Sequence, residues 1–315
     1  MTRTVCIGEC MIEMAPTDVE GQFRMGFAGD TMNTAWYLRG LLGADHQVDY
    51  FTAVGTDSAS QQMIAFLRQA GLGVDRIIQR SDRTVGLYVI QLDNGERSFN
   101  YWRGQSAART LAHDKAALIA ALSGADYAYF SGITLAILPP EDRRHLRDIL
   151  AMFRANGGQV VFDPNLRPAL WSDPQDMRDE IMASAAVSTI ILPSHEDEAA
   201  WFNDSNPQET AQRYAACGAQ TVVVKNGSGP MLTYGDKAMQ SHDPVSVEQV
   251  IDTTAAGDSF NAGLLASTIQ GAPLSDAVSN GAQVAAQVIQ SRGALVNLSE
   301  CSALADTSFR TRNWI

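Results

Sequence analysis

Short apolar runs recur along this chain, each closing on small or polar residues. Longer stretches with apolar positions three and four apart lie between them. The runs T-V-C-I-G-E (4–9), V-D-Y-F-T-A-V-G (48–55), Y-A-Y-F-S-G-I (127–133), Q-V-V-F-D-P-N (159–165), S-T-I-I-L-P-S (188–194) and T-V-V-V-K-N-G (221–227) predict buried strands. The stretches 31–43, 60–71, 140–158 and 206–218 predict helices, each stopped by a glycine. This alternation predicts an α/β fold in which a mostly parallel sheet carries helices on both faces, an α/β/α core. Sheets of that kind bind ligands beyond the carboxyl ends of their strands.

Two stretches depart from the alternation. Residues 85–104 read as two strands around Asn94–Gly95, a pair suited to the positive φ of a tight hairpin turn. Residues 11–30 hold strand fragments and no helix. They predict a small β-sheet lid built from residues 11–30 and 85–107, over a core of 1–10, 31–84 and 108–315. Val250–Ile251 read as the end of a further strand, with Asp252–Thr254 as a turn into a helix.

Composition narrows the classes. With 45% hydrophobic and 18% charged residues, the 315-residue chain has the make-up of a globular protein, long enough for one large α/β unit with an appendage. Its net charge of −12 argues against a nucleic-acid partner, which needs a basic face. No run approaches the roughly 20 apolar residues of a membrane span. The first residues read as a strand, not as a signal peptide. Cys6, Cys10, Cys217 and Cys301 fit no redox or zinc spacing and read as buried free thiols, which suits a cytoplasmic location. His46, His113, His145 and His242 read as solvated, and His195 lacks partners at ligand spacing.

The sharpest chemical question lies in D-T-T-A-A-G-D-S-F (252–260). Ala255, Ala256 and Gly257 at a helix start leave backbone N–H groups uncovered, and these, with the helix dipole, suit an anion. Asp258 beside such an anion hole fits the base that takes a hydroxyl proton in phosphoryl transfer. It fits an ordinary helix N-cap equally well. Lys225, at a strand end, has two readings also: a phosphate contact, or a solvated side chain. A nicotinamide-dependent oxidoreductase finds no support, because no strand is followed by G-x-G-x-x-G.

The segment D-T-T-A-A-G-D-S-F-N-A-G-L-L resembles the C-terminal signature of the ribokinase-type (PfkB) carbohydrate kinases, D-T-[TC]-G-A-G-D, with Ala255 in place of its first glycine. That replacement leads to the expectation of a negative φ at position 255. F-A-G-D-T-M-N-T-A (27–35) resembles the family's sugar-binding G-G-x-x-x-N, with Asp30 replacing the second glycine. The resemblance spans residues 4–297. Within the family, I-G-E-C-M-I-E-M (7–14), residues 86–108, S-G-I-T-L-A-I-L (131–138) and D-P-N-L-R-P-A-L-W (163–171) resemble the branch that phosphorylates 2-dehydro-3-deoxygluconate (KDG) at its C6 hydroxyl.

The resemblance implies a ribokinase-like fold, ATP and Mg²⁺ as co-substrate and cofactor, and Asp258 as base. It places Gly29, Asp30, Asn33, Tyr88, Tyr101, Arg103, Ile133 and Arg167 around a sugar acid. An arginine suits that substrate because a planar guanidinium pairs bidentately with a carboxylate, which neutral hexoses lack. Asn165, Lys225, Gly227, Gly229, Asn280 and Gln283 are implied on the nucleotide side. The family's N-x-x-E magnesium motif falls on Ser194–Asp197, leaving Asp197, acting through water, among the acids Glu196, Asp197 and Glu198. Asp252 and Thr254 fall near a monovalent-cation site, and the lid suggests a homodimer. A neutral-sugar kinase of the same fold and a non-catalytic sugar-binding regulator stand as alternatives.

Overall fold

A computed structural model describes residues 1–93 and 96–298. In chain order the strands are β1 (Thr2–Ile7), β2 (Met11–Pro16), β3 (Phe23–Ala28), β4 (His46–Phe51), β5 (Ala53–Gly55), β6 (Ile78–Arg80), β7 (Gly86–Asp93), β8 (Glu96–Trp102), β9 (Tyr127–Ser131), β10 (Gln159–Asp163), β11 (Ile190–Ile191), β12 (Thr221–Val224), β13 (Met231–Gly235) and β14 (Ala238–His242). The α-helices are α1 (Asp30–Leu41), α2 (Ser58–Gln69), α3 (Lys115–Leu122), α4 (Gly132–Ile137), α5 (Pro140–Ala155), α6 (Pro174–Ala185), α7 (His195–Phe202), α8 (Pro207–Ala216), α9 (Ala256–Ile269) and α10 (Leu274–Val288).

The main sheet runs β14-β13-β12-β11-β10-β9-β1-β4, parallel from β4 through β12 and antiparallel at β13 and β14. Strand periodicity sends alternate residues to opposite faces. Cys6, Val161 and Val223 face one apolar cluster with Met32 and Leu38 of α1, Phe260 and Leu264 of α9, and Val284 of α10. Val5, Val160 and Val222 face the other, with Leu146 and Ile149 of α5, Ile181 of α6 and Tyr214 of α8. Both faces are therefore apolar, as a parallel sheet requires. The stacked rings of Phe130 and Phe162, 4.6 Å apart, show how closely neighbouring strands pack under α5 and α6.

A second sheet, β3-β2-β7-β8, stands apart from the first. Strand β2 pairs with β7 in parallel, joining the two excursions of the chain, while β3 and β8 close the outer edges. The turn expected at Asn94–Gly95 lies outside the described residues, as does Cys301.

Several expectations are corrected. The run 48–55 is two strands, not one. The chain breaks at Thr52, and β5 leaves the main sheet to pair with β6. Val250–Ile251 do not end a strand; they lie in an irregular segment and are half-exposed, and Ile251 N–H donates to the Ile289 carbonyl after α10. His145 is buried, facing Glu141 and Asp142, and His46 is largely covered, whereas His113 is exposed. Cys6 and Cys10 are buried free thiols and Cys217 is half-buried. Among the described residues no helix is long and apolar enough to cross a membrane.

Candidate active site

The polar ends of β1, β9, β10, β11 and β12 converge at one edge of the main sheet, below the second sheet. A cavity of about 290 Å³ opens there. Its wall takes Glu9 from beyond β1, Ile133 from beyond β9, Asp163, Asn165 and Arg167 from β10 and beyond, Asp197 after β11 and Lys225 after β12. Tyr88, Phe99, Tyr101 and Arg103 come from the second sheet and its exit, and Gly29, Asp30 and Asn33 from the start of α1. Thr253 to Asp258 close the floor. Beside it lies a larger, more apolar cleft of about 620 Å³, lined by Met231, Pro244, Val245, Val247, Val250, Phe260, Ala282, Ala285, Ala286 and Ile289 among others. The two cavities share Ser194, Lys225, Thr253, Ala256 and Gly257, so they meet at the first turn of α9.

That turn is built for close approach. Its N-cap is Ala255, at φ 60° and ψ 16°, with no side-chain cap. The expectation of a negative φ there is wrong: the chain needs a left-handed residue to turn into α9, and Ala supplies it at a cost of about 1 kcal/mol. Ala255→Gly should raise the free energy of unfolding by about 1 kcal/mol, checked by denaturant titration at fixed pH. A Cβ at Gly257 would stand 3.6 Å from the Lys225 ammonium, an ordinary contact, so the junction has room for one. Asp258 sits in the helix's first turn and is not its N-cap, so the capping reading falls.

The Asp258 carboxylate accepts from Asn33 Nδ2 at 2.8 Å, which ties α9 to α1. Burial and then the negative charge of Asp30 push the Asp258 carboxyl up to about 8, against the pull of Asn33 and Lys225. Asp30 is raised as well, by burial, although Asn165 Nδ2 donates to it at 2.8 Å. Lys225 is buried, not solvated. Its ammonium donates to Asp163 at 3.0 Å and to Asn261 at 3.2 Å, and Asn261 donates to Asp163 at 2.6 Å.

The aromatic and basic groups cluster on the opposite wall. The Tyr88 hydroxyl donates to Glu13, and its ring lies 5.7 Å from Tyr101. The Arg103 guanidinium is 5.8 Å from the Tyr101 ring and pairs with Glu9. Arg167 is half-exposed and reaches Asp197 at 3.4 Å. Of the three acids in doubt, only Asp197 faces the cavity; Glu196 is exposed, and Glu198 is buried against Arg213 and Tyr214. Burial raises the Asp197 carboxyl, and Arg167 partly offsets it. Among the described residues no group of three or more His, Cys, Asp or Glu is arranged to hold a metal ion.

Some expected nucleotide residues sit elsewhere. Asn165 lines the polar cavity, bonded to Asp30. Gly227 lines the apolar cleft at φ 54°, but Gly229 is outside the lining and only completes the turn by donating to the Asn226 carbonyl. The helix α10 does form a wall, through Ala282, Ala285 and Ala286. Asn280 and Gln283 are not part of it, and Asn280 bonds Ser267 instead. Asp252 accepts from Thr254 and from Gly293 N–H. The sequence reading missed the segment 244–250 and the buried acid Glu9. The only signal for the first was an apolar, Pro-containing stretch with no regular period.

The sequence profile of the pfkB family carbohydrate kinases matches residues 1–301. The chain is 37% identical over 304 residues to a 2-dehydro-3-deoxygluconokinase of Haemophilus influenzae, covering 94% of this chain and 96% of that protein. It is 38% identical over 301 residues to a 2-dehydro-3-deoxygluconokinase of Escherichia coli K12, covering 93% and 97%. Its fold is similar to the crystal structure of a PfkB protein from Polaromonas, with a TM-score of 0.83, 26% identity, and coverage of 92% of this chain and 96% of that one.

Proposed function

Since this chain belongs to the pfkB family of carbohydrate kinases, we propose that it phosphorylates 2-dehydro-3-deoxygluconate at the C6 hydroxyl with ATP, giving 2-dehydro-3-deoxy-6-phosphogluconate, as the names of its relatives suggest. One observation carries the reading. A polar cavity with two arginines and a more apolar cleft meet at the first turn of α9, where Asp258 stands in a helix start that has no side-chain cap.

In this mechanism the sugar acid occupies the polar cavity. Arg103 and Arg167 take its carboxylate, and Tyr88 and Tyr101 frame that end. Gly29, Asp30, Asn33 and Ile133 wall the chain of hydroxyls. Asp258, deprotonated, accepts the C6 hydroxyl proton, and the backbone of Ala255 and Gly257 offers N–H groups to the developing charge, with Ala256, whose N–H bonds the Thr253 carbonyl, joining them if that turn bond opens. The apolar cleft takes the adenine, and Gly227 and Lys225 border the phosphates. Asp197 offers the single carboxylate that suits Mg²⁺, an ion that keeps several waters and, when bound, neutralises phosphate charge. A monovalent cation near Asp252 and Thr254 belongs to the same proposal. The second sheet acts as the lid that excludes water. Its residues Phe23, Met25 and Trp102 are 44%, 44% and 61% exposed, which fits pairing with a second copy.

The test is an ADP-release assay with Mg-ATP on KDG, fructose, ribose and gluconate. Strong preference for KDG is expected. Turnover of fructose or ribose in its place would keep Asp258 and overturn the reading of the arginines. Folded protein with no turnover on any of them would favour a sugar-binding regulator.

A further inference from the structure

Arg103 is held from behind by an acid that no part of the mechanism uses. Glu9 lies between β1 and β2, and its side chain is 1% exposed. Its carboxylate accepts from Arg103 Nη2 and from the Ser106 hydroxyl, 94 and 97 residues away. Two glycines leave room for it. A Cβ at Gly29 would lie 2.2 Å from the Glu9 carbonyl oxygen, and one at Gly86 would lie 3.0 Å from its Oε1. Arg103 is 10% exposed, and its Nε is buried with no partner. A buried guanidinium with one face on a fixed carboxylate and the rest at a cavity wall is a preorganised anion receptor. Its rotamer entropy is already spent, and its counter-charge is fixed behind it.

We propose that Glu9, with Ser106, is a positioning residue that fixes Arg103 for the carboxylate end of the substrate and so sets selectivity for sugar acids over neutral sugars. This rests on the KDG reading above. Glu9 touches no substrate in this scheme; it acts through Arg103. The carboxylate end of the substrate is remote from the C6 hydroxyl, so loss of Glu9 should appear mainly in KM, with kcat retained.

The test is a double-mutant cycle of Glu9→Gln and Arg103→Ala, read as kcat and KM for KDG. Glu9→Gln alone should raise KM about ten-fold or more, and in the Arg103→Ala background it should add less than about two-fold. Ser106→Ala keeps the Glu9 charge, removes one of its donors, and should give a smaller KM rise that likewise vanishes without Arg103. This second cycle decides the matter if Glu9→Gln fails to fold, as judged by its thermal transition and ATP binding. Equal KM effects in both backgrounds, or a wild-type KM in the variants, would overturn the proposal. An additive cycle on an active wild type sinks this inference alone. A wild type inactive on KDG sinks the KDG reading, and this inference with it.

Discussion

Asp258→Asn should leave the fold intact and lower kcat by about a thousand-fold or more, the usual scale for removal of a positioned base together with its charge. The fold survives because the amide oxygen still accepts from Asn33, so the contact between α9 and α1 remains. The pH dependence carries the same assignment. The base works only when deprotonated, and burial with the Asp30 charge holds it up to about 8. Wild-type turnover should therefore rise with pH along an acid limb whose midpoint lies near that value. Stability moves the opposite way. Folded protein keeps the Asp258 proton up to about pH 8, whereas the unfolded chain releases it in the ordinary carboxylate range. Between those limits the folded state binds more protons, so stability falls as pH rises and the loss is complete above the folded value. Asn cannot ionise, so the melting temperature of the variant should gain on the wild type from about pH 4 to about pH 9. Turnover profiles and melting curves of both proteins over that range check both signs. Near-normal turnover in the variant would remove Asp258 from the chemistry.

The parts of this molecule legible in its sequence are those fixed by local pattern. Val160, Val161 and Phe162 are apolar because both faces of β10 are covered, and the Asp163–Pro164–Asn165 that follows marks where the strand leaves the core. Neighbouring strands repeat that signature, so their polar ends point to one sheet edge from sequence alone. The misreadings have physical reasons as well. Val250 and Ile251 look like the end of a strand because two β-branched apolar residues precede a polar turn, yet they serve otherwise: Val250 lines a cleft, and the Ile251 backbone bonds to the end of α10. Ala255 hides its left-handed backbone because an alanine side chain gives no sign of it; the glycine that the family signature has at that position was the sign, and the replacement masked it. Asn280 and Gln283 lie outside the lining of the cleft, and the small residues of α10 give little sign of which of its faces meets it. Alanines pack as readily against a cleft as against a sheet, and here it is Ala282, Ala285 and Ala286 that face the cleft. Glu9 was invisible for the plainest reason. Its partners are nearly a hundred residues away, and one acid after a strand gives no period and no spacing to read.

Lys225→Met should lower kcat/KM by about a hundred-fold or more while shifting the acid limb of the pH profile upward. The side chain lies where the two cavities meet, and its ammonium is buried among carboxylates: Asp163 binds it directly, and Asp258 senses its charge. Its removal takes away an attraction that lowers the Asp258 carboxyl, so the base should titrate still higher and less of it should be competent at neutral pH. Stability should fall too, because Asp163 keeps two neutral donors, the Asn261 amide and the Asn165 N–H, but loses its cation, and a buried carboxylate without its counter-charge is costly. That fall alone could explain lost activity, so a second substitution is needed to separate the causes. In Lys225→Met/Asp163→Asn the buried pair is neutral again, and the melting temperature should return most of the way to that of the wild type. Turnover should not return, because the charge at the junction is still missing. Recovery of both in the double variant would make Lys225 a structural partner of Asp163. Recovery of stability alone assigns its charge to the transfer of the phosphoryl group between the cavities.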